Sequence, residues 1–391
     1  MTMQEEQDPI VIVSAARTPI GSFQGALKSF QAPDLGGTAI KAALDRAGLS
    51  PDAVDEVMMG CVLPAGLGQA PARQAAHYAG LPWSVRCSTV NKVCGSGMKT
   101  IMMGTDILAA GDARFVVAGG MESMSNAPYL LEKHRAGARM GHGRVLDHMF
   151  LDGLEDAYDR GRSMGTFAEE TAEAYQLSRD QQDTYAIESL RRANRAIAEG
   201  AFASEIVNVG DATYDEQPSR SKPEKIPQLR AAFKENGTVT AASSASISDG
   251  AAAVLLSRRS VAADHKLQPL AYIRGASGFA QEPSLFTTAP IFAIKRLLDK
   301  VRWDVEDVDL FEINEAFAVV PMAAMRELNI FHEKLNVNGG ACALGHPLGC
   351  SGTRVVVTLL AALKARGLKK GVASLCIGGG EATAIAVELV Q

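Results

Sequence analysis

No CxxC pair and no zinc-type cluster of cysteine and histidine occurs in this sequence, although it holds six cysteines. No metal site is therefore expected. Cys61, Cys87, Cys94, Cys342, Cys350 and Cys376 are read as reduced thiols. Most should be small buried hydrophobes, so the question is which of them reacts. No uninterrupted apolar run reaches the roughly 18 residues that span a bilayer. The opening stretch MTMQEEQDPI lacks the basic start and long apolar middle of a secretory signal. It also lacks the arginine-rich character of a transit peptide. A cytoplasmic protein without a membrane partner is the expectation. Positive charge is not in excess either. The net charge is −5, which argues against nucleic acid as a partner. One stretch departs from this: Lys133 to Arg144, KHRAGARMGHGR, has four Lys/Arg, two His and no acid. It reads as a solvated loop, or as a patch attracting an anionic ligand or a neighbouring subunit.

What is present is a repeat. At 391 residues the chain exceeds one ordinary core, and two or three domains are expected. Ala39-Ile40-Lys41 matches Ala293-Ile294-Lys295 at an offset of 254, and Leu44, Asp45, Val54 and Asp55 match Leu298, Asp299, Val308 and Asp309 at the same offset. Both segments read as an amphipathic helix, a turn and a strand. Cys94-Gly95-Ser96-Gly97 then aligns with Gly349-Cys350-Ser351-Gly352 at an offset of 255. Each Ser-Gly opens a helix-like stretch that stops at a glycine, Gly111 or Gly367. Each helix is followed by an apolar strand ending in a glycine run. Two similar α/β halves account for this pattern. The first is expected over 1–120 plus 249–270, and the second over 271–391. Residues 121–248 break the repeat and read as an inserted loop domain, with a helix from Arg179 to Glu199. Strands apolar throughout suggest sheets covered by helices on both faces.

Four glycine-rich clusters fall at strand ends or helix starts, where α/β sheets collect ligands. In Asn91-Lys-Val-Cys94-Gly-Ser-Gly97 the cysteine lies near a helix N-terminus, whose dipole is expected to favour a thiolate and lower its pKa. The same pattern is also read as a tight turn with a buried cysteine. In Asn336-Val-Asn-Gly-Gly340 through Gly345-His346-Pro347, the repeat puts His346 three residues before Gly349, the counterpart of Cys94. Related loops facing each other across a cleft would let His346 act as base to Cys94. Cys376-Ile-Gly-Gly-Gly380 offers glycine N–H groups suited to an oxyanion hole. Asn314-Glu-Ala-Phe-Ala318 ends a strand. There Asn314 either orients a water or an imidazole, or caps a helix.

Taken together these segments resemble the thiolase family, and within it the acetyl-CoA acetyltransferase group. VNKVCGSGMK resembles its nucleophile loop, NEAFA its asparagine motif, NVNGGACALGHPLGCSG its histidine motif and CIGGGEA its second-cysteine motif. The likeness runs through nearly the whole chain. It implies a five-layered αβαβα core with an inserted loop domain for coenzyme A and oligomer contacts. It implies that Cys94 carries the acyl group as a thioester, that His346 takes its proton, and that Cys376 is the acid/base at the α-carbon of the second acyl-CoA. Asn314, through a water, and His346 would form one oxyanion hole. The N–H groups of Cys94 and Gly378 would form the other. Met164, Ala316 and Phe317 fall where the family contacts substrate or CoA, Arg220 lies near its basic CoA contact across a one-residue gap, and Ser244 or Ser246 would stand in for its CoA-contacting Ser. The implied reaction interconverts two acetyl-CoA with acetoacetyl-CoA and CoA, without cofactor or metal, in a homotetramer or a dimer. Fatty acid metabolism is its implied setting.

Three positions depart from the family pattern. Ser163 stands where members selective for acetoacetyl-CoA carry His, Ala245 where a CoA-contacting Ser is usual, and Glu381 where many members carry Met or Gln. Other readings are a degradative 3-ketoacyl-CoA thiolase of broader chain length, a non-catalytic acyl-CoA or lipid-binding protein, and a condensing enzyme of the one-cysteine, two-histidine type. Cys376 disfavours the last.

Overall fold

The same chain path occurs twice in this molecule, whose residues 8–390 are described by a computed structural model. The first path has strands β1 (Ile10–Arg17), β2 (Glu56–Gly60), β3 (Arg86–Val90), β4 (Phe115–Ser123) and β5 (Ser248–Arg258). The second has β6 (Ala271–Ala280), β7 (Leu310–Ile313), β8 (Lys370–Ile377) and β9 (Glu381–Leu389). Their orders are β3-β2-β4-β5-β1 and β7-β8-β9-β6. In both, parallel pairing (β2 with β4, β7 with β8) gives way to two antiparallel steps. The counterpart of β3 in the second half shrinks to a single parallel bridge from Phe311 to Leu335. The halves meet edge to edge where β1 pairs with β6, over Val11–Tyr272 and Ile12–Ala271.

The longer helices are α1 (Ala32–Ala47), α2 (Pro71–Tyr78), α3 (Ser96–Ala110), α4 (Met164–Ala174), α5 (Arg179–Ala198), α6 (Ala289–Val301), α7 (Val319–Leu328) and α8 (Leu348–Arg366), of which all but α4 and α5 place these strands in layers. Successive strand residues point to opposite faces, and here both faces are buried. Val11 and Val13 join the core under α1 and α2, while Ile10 and Ile12 join the core around α3 and α8. The second sheet splits likewise. Leu375 and Ile385 face α3 and α8, whereas Val372 and Ala384 face α6 and α7. The layers therefore run α1/α2, first sheet, α3/α8, second sheet, α6/α7, which is the αβαβα arrangement expected.

The repeat has physical content. The Asp55 carboxylate accepts from the N–H of Arg114 and Phe115 at 2.7 and 3.0 Å, pinning the start of β4. Asp309 does the same for Lys369 and Lys370 at 2.9 and 2.8 Å, at the start of β8. Gly97 and Gly352 are where α3 and α8 touch. A Cβ on Gly352 would lie 2.3 Å from the Met98 nitrogen, and one on Gly97 2.8 Å from the Gly349 oxygen. Among the described residues, α8 alone is long and apolar enough for a bilayer by length and composition. Its Arg354 interrupts the apolar run, and the helix is enclosed between the two sheets.

Between β4 and β5 lie α4, α5 and shorter turns. α5 opens on a capping box of Ser178 and Gln181. It packs with Ala343 and Leu344 beside the histidine motif.

Candidate active site

The chain turns sharply between β3 and α3. Val93 takes a φ of 46°, a left-handed conformation that a β-branched residue rarely adopts. Asn91 Oδ1 accepts from the Val93 N–H at 2.9 Å, and Ser96 Oγ accepts from the Lys92 N–H at 2.8 Å while donating to the Val93 carbonyl at 2.6 Å. This strained elbow carries Cys94 one residue before the N-cap of α3. Cys94 is half-buried, and all six cysteines are free thiols. Burial pushes its thiol up to about 11, against hydrogen bonding to the sulfur from the N–H groups of Gly378 and of Cys94 itself. The expected lowering by the helix dipole does not prevail. Desolvation outweighs it, and the Glu122 carboxylate adds a like charge. At rest Cys94 is a thiol.

Cys376 is the penultimate residue of β8 and is fully buried. Burial, joined by the like charge of Cys94 when that sulfur ionises, pushes its thiol well above the ordinary range. The two sulfurs are therefore within electrostatic reach of one another, in a site where the Gly378 N–H faces Cys94.

His346 is held by its neighbours. Its N–H donates to the Ser246 carbonyl at 3.0 Å. Its Nδ1 is 2.5 Å from Ser351 Oγ, and that hydroxyl donates to the Pro347 carbonyl at 2.9 Å. The hydroxyl hydrogen being spent, Nδ1–H is the donor to Ser351 and Nε2 keeps a bare lone pair. Nε2 is buried and has no partner among the described residues. Burial, with the Arg354 charge, lowers the imidazole to about 3, so His346 is neutral. Asn314 shows the same signature. Its N–H continues the β7–β8 ladder to Ser374 O at 3.0 Å, its Oδ1 accepts from Arg354 Nη2 at 3.1 Å, and its buried Nδ2 is unpartnered among the described residues. Helix α7 starts at Val319, so Asn314 is not a helix cap. Buried polar atoms are rarely left unpaired. An orphaned base and an orphaned donor, both oriented by contacts with α8, mark a place for ligand or water.

The family model described as "Thiolase, N-terminal domain" matches residues 10–260, and "Thiolase, C-terminal domain" matches residues 267–389. The chain belongs to the thiolase family. An "Acetyl-CoA acetyltransferase" of Schizosaccharomyces pombe is 47% identical over 97% of this thiolase and 99% of its own length. "Acetyl-CoA acetyltransferase 2" of Arabidopsis thaliana is 50% identical over 97% of both chains. A crystal structure of the Acat5 thiolase from Ascaris suum in complex with coenzyme A superposes with a TM-score of 0.94 at 44% identity, covering 98% of this chain and all of that one.

The remaining candidates in this thiolase divide into two groups. Segment 238–250 laces onto the motifs: the Ala245 N–H donates to Ala316 O at 3.0 Å, Ser244 bridges to Phe317, and Ser246 O holds His346. Ser246, Ala316 and Phe317 are thus brought to the histidine and asparagine loops. Ser244 is there too, but its hydroxyl already donates to Thr240 O at 2.7 Å. Met164, the first residue of α4, puts its terminal methyl 3.4 Å from where a Cβ on Gly378 would sit. Ser163 caps α4, its Oγ accepting from Gly165 N at 3.4 Å. Arg220 is not drawn in. It is exposed at the end of a short helix and contacts Glu216 at 3.3 Å.

Sequence reading overlooked the groups that hold the site. Glu122, at the end of β4, accepts from the N–H groups of Val62, Leu63 and Gly349 at 3.0, 3.1 and 2.8 Å, tying the first half to the start of α8. Burial raises its carboxyl to about 7, opposed by those three hydrogen bonds. Arg354 binds Glu312 at 2.8 Å and so aims Asn314. Glu315, beside Asn314, accepts from Tyr185, Ser189, Asn336 and Cys342, fixing the histidine loop from behind. One signal was available for Arg354: a lone charge in an apolar helix face requires a buried partner.

Proposed function

We propose that this thiolase forms and cleaves the carbon–carbon bond of acetoacetyl-CoA through an acyl thioester on Cys94, with acetyl-CoA and CoA as the other participants. One observation carries the reading. Two cysteines, one at a strained elbow and one at a strand end, lie within electrostatic reach of each other, and the histidine and asparagine loops carry a buried, unpartnered Nε2 of His346 and Nδ2 of Asn314. The very similar acetyl-CoA acetyltransferases support the choice of acyl group.

The steps balance with these residues alone. The Cys94 thiol gives its proton to His346 Nε2 as the sulfur attacks the thioester carbonyl. The N–H groups of Cys94 and Gly378 receive the oxyanion. Collapse expels the CoA thiolate, which takes a proton from Cys376 and leaves as CoA. The Cys376 thiolate then removes an α-proton from the second acetyl-CoA. Asn314, through a water, and the protonated His346 stabilise the enolate oxygen. The enolate attacks the acyl group, and the released Cys94 sulfur recovers its proton from His346. A bound acyl-CoA also displaces water from a site already dry enough to keep both thiols protonated.

The deciding assay is CoA-dependent loss of acetoacetyl-CoA absorbance, with Cys94→Ala beside the wild type. Wild-type turnover lost in the variant is expected. Retained activity in Cys94→Ala would sink the mechanism. Chain length is read by kcat/KM across C4 to C16 3-ketoacyl-CoAs, because Ser163 only caps α4 and leaves Met164 to line the Gly378 side. A preference for C4 is expected, and a long-chain optimum would assign the broader degradative role. The fully exposed Lys133–Arg144 stretch suits contact between subunits or attraction of CoA phosphates. Light scattering should give a tetramer.

A further inference from the structure

Three successive glycines, Gly378 to Gly380, join β8 to β9. Gly379 and Gly380 take φ values of 91° and 92°, conformations that L side chains avoid. The turn therefore has no side chain of its own to hold it, yet Gly378 packs on the elbow, where a Cβ on it would sit 3.6 Å from Val93 Cγ1, and its N–H opposes the upward shift of the Cys94 thiol. Two contacts pin it to the elbow from either side. Before the turn, Ile377 lies over Gly95, so close that a Cβ there would be 2.3 Å from the Ile377 side chain. After the turn, Glu381 forms an ion pair with Lys92.

Neither partner of that pair swings freely. The Lys92 N–H donates to Ser96 Oγ at 2.8 Å, and its carbonyl accepts from the Gly95 N–H at 3.0 Å. Glu381 sits in register between Ile377 and Ala280. The pair therefore joins two backbone segments that are each held in place. The two residues are 289 positions apart and belong to different halves. Their side chains are 24% and 39% exposed, so salt can reach them.

We propose that the Lys92–Glu381 ion pair is a clamp across the two halves that positions the Gly378 N–H against Cys94. The inference rests on the reading of Cys94 as the acyl carrier. Both residues are positioning residues, since neither belongs to the proton or acyl path. The clamp acts on kcat and leaves substrate affinity alone, because the hole it aligns is used when charge develops on the carbonyl oxygen.

The test uses Glu381→Gln, Lys92→Met and the exchanged pair Lys92→Glu with Glu381→Lys, all in the full-length protein. A part-exposed pair of this kind corresponds to about a three- to fivefold fall in kcat for each single variant, with KM unchanged. The exchanged pair should recover most of the loss. Wild-type kcat should fall toward the single variants as salt shortens the Debye length to roughly 3 Å at 1 M, while the single variants stay flat. Hydrogen exchange gives a readout independent of turnover: the peptide covering Gly378 should exchange faster in both single variants and return to wild-type behaviour in the exchanged pair. Unchanged exchange in Glu381→Gln, or an exchanged pair no better than either single variant, overturns the clamp. Slow, clamp-dependent exchange in a protein with no thiolysis activity would instead count against the acyl-carrier reading.

Discussion

Ser351→Ala isolates what the histidine owes to its tautomer. The hydroxyl lies 2.5 Å from His346 Nδ1 and spends its hydrogen on the Pro347 carbonyl 2.9 Å away. Alanine removes the acceptor and leaves a buried N–H without a partner, at a cost of about 1–3 kcal/mol. The ring can escape by moving its proton to Nε2, but that nitrogen then cannot take the Cys94 proton. Either route adds a similar amount to the barrier. At roughly 1.4 kcal/mol per tenfold, kcat/KM should fall about 10- to 100-fold. Thiolysis of acetoacetyl-CoA measures it, with thermal melting to check that the variant is folded. KM should move little, because Ser351 lies behind the ring. A folded Ser351→Ala that keeps more than half the wild-type kcat/KM would refute both the tautomer assignment and the role of Nε2 as base.

Iodoacetamide modification of Cys94 should accelerate with pH well past neutrality and level off only near pH 11, where the thiol titrates; a plateau near pH 7 would instead reveal a thiolate–imidazolium pair. Gly352→Ala should destabilise the fold by about 3 kcal/mol or more, since its Cβ would lie 2.3 Å from the Met98 nitrogen of α3. A denaturant midpoint equal to the wild type's would show that the helices can part without cost. His346 is depressed to about 3 by burial, so the stability that its neutral form represents is present above the ordinary imidazole value of about 6.5 and is lost as pH falls from there toward 3. His346→Gln should flatten that acid limb in urea titrations, and an unchanged limb would assign it to other groups. Glu122 has the opposite sign. Its carboxyl is raised to about 7, so stability tied to its protonated form is present at about pH 4.5 and lost as pH rises through 7. Glu122→Gln should hold its melting temperature between pH 6 and 8 better than the wild type does.

Much of the architecture was written in spacing. The matched Asp55 and Asp309, and the matched Ser-Gly pairs at 96–97 and 351–352, announced two copies of one path, and each proves to do the same job twice. Glycine runs at strand ends marked the four site loops. The acidic and basic groups that hold those loops were not legible. Glu122, Glu315 and Arg354 have no periodic signature, because each is defined by partners 21 to 227 positions away. Nor could spacing weigh desolvation against a helix dipole. The sign of the Cys94 shift depended on how deeply its sulfur sits, which only packing of both halves determines. Glu381 was visible as an oddity but became intelligible once Lys92 stood opposite it.

The middle layer of helices has a consequence for how the chain comes into being. During synthesis the inner faces of β1, β4 and β5 emerge long before α8, which spans residues 348–366 and covers part of them. Until that late segment arrives, the apolar inner surface of the first half lacks its full covering. Neither half is then a finished folding unit, whatever its internal symmetry suggests. A nascent chain halted before Leu348 should present sticky surface to chaperones, and the completed protein should unfold in one step, with Cys94 and Cys376 parting as the shared layer opens.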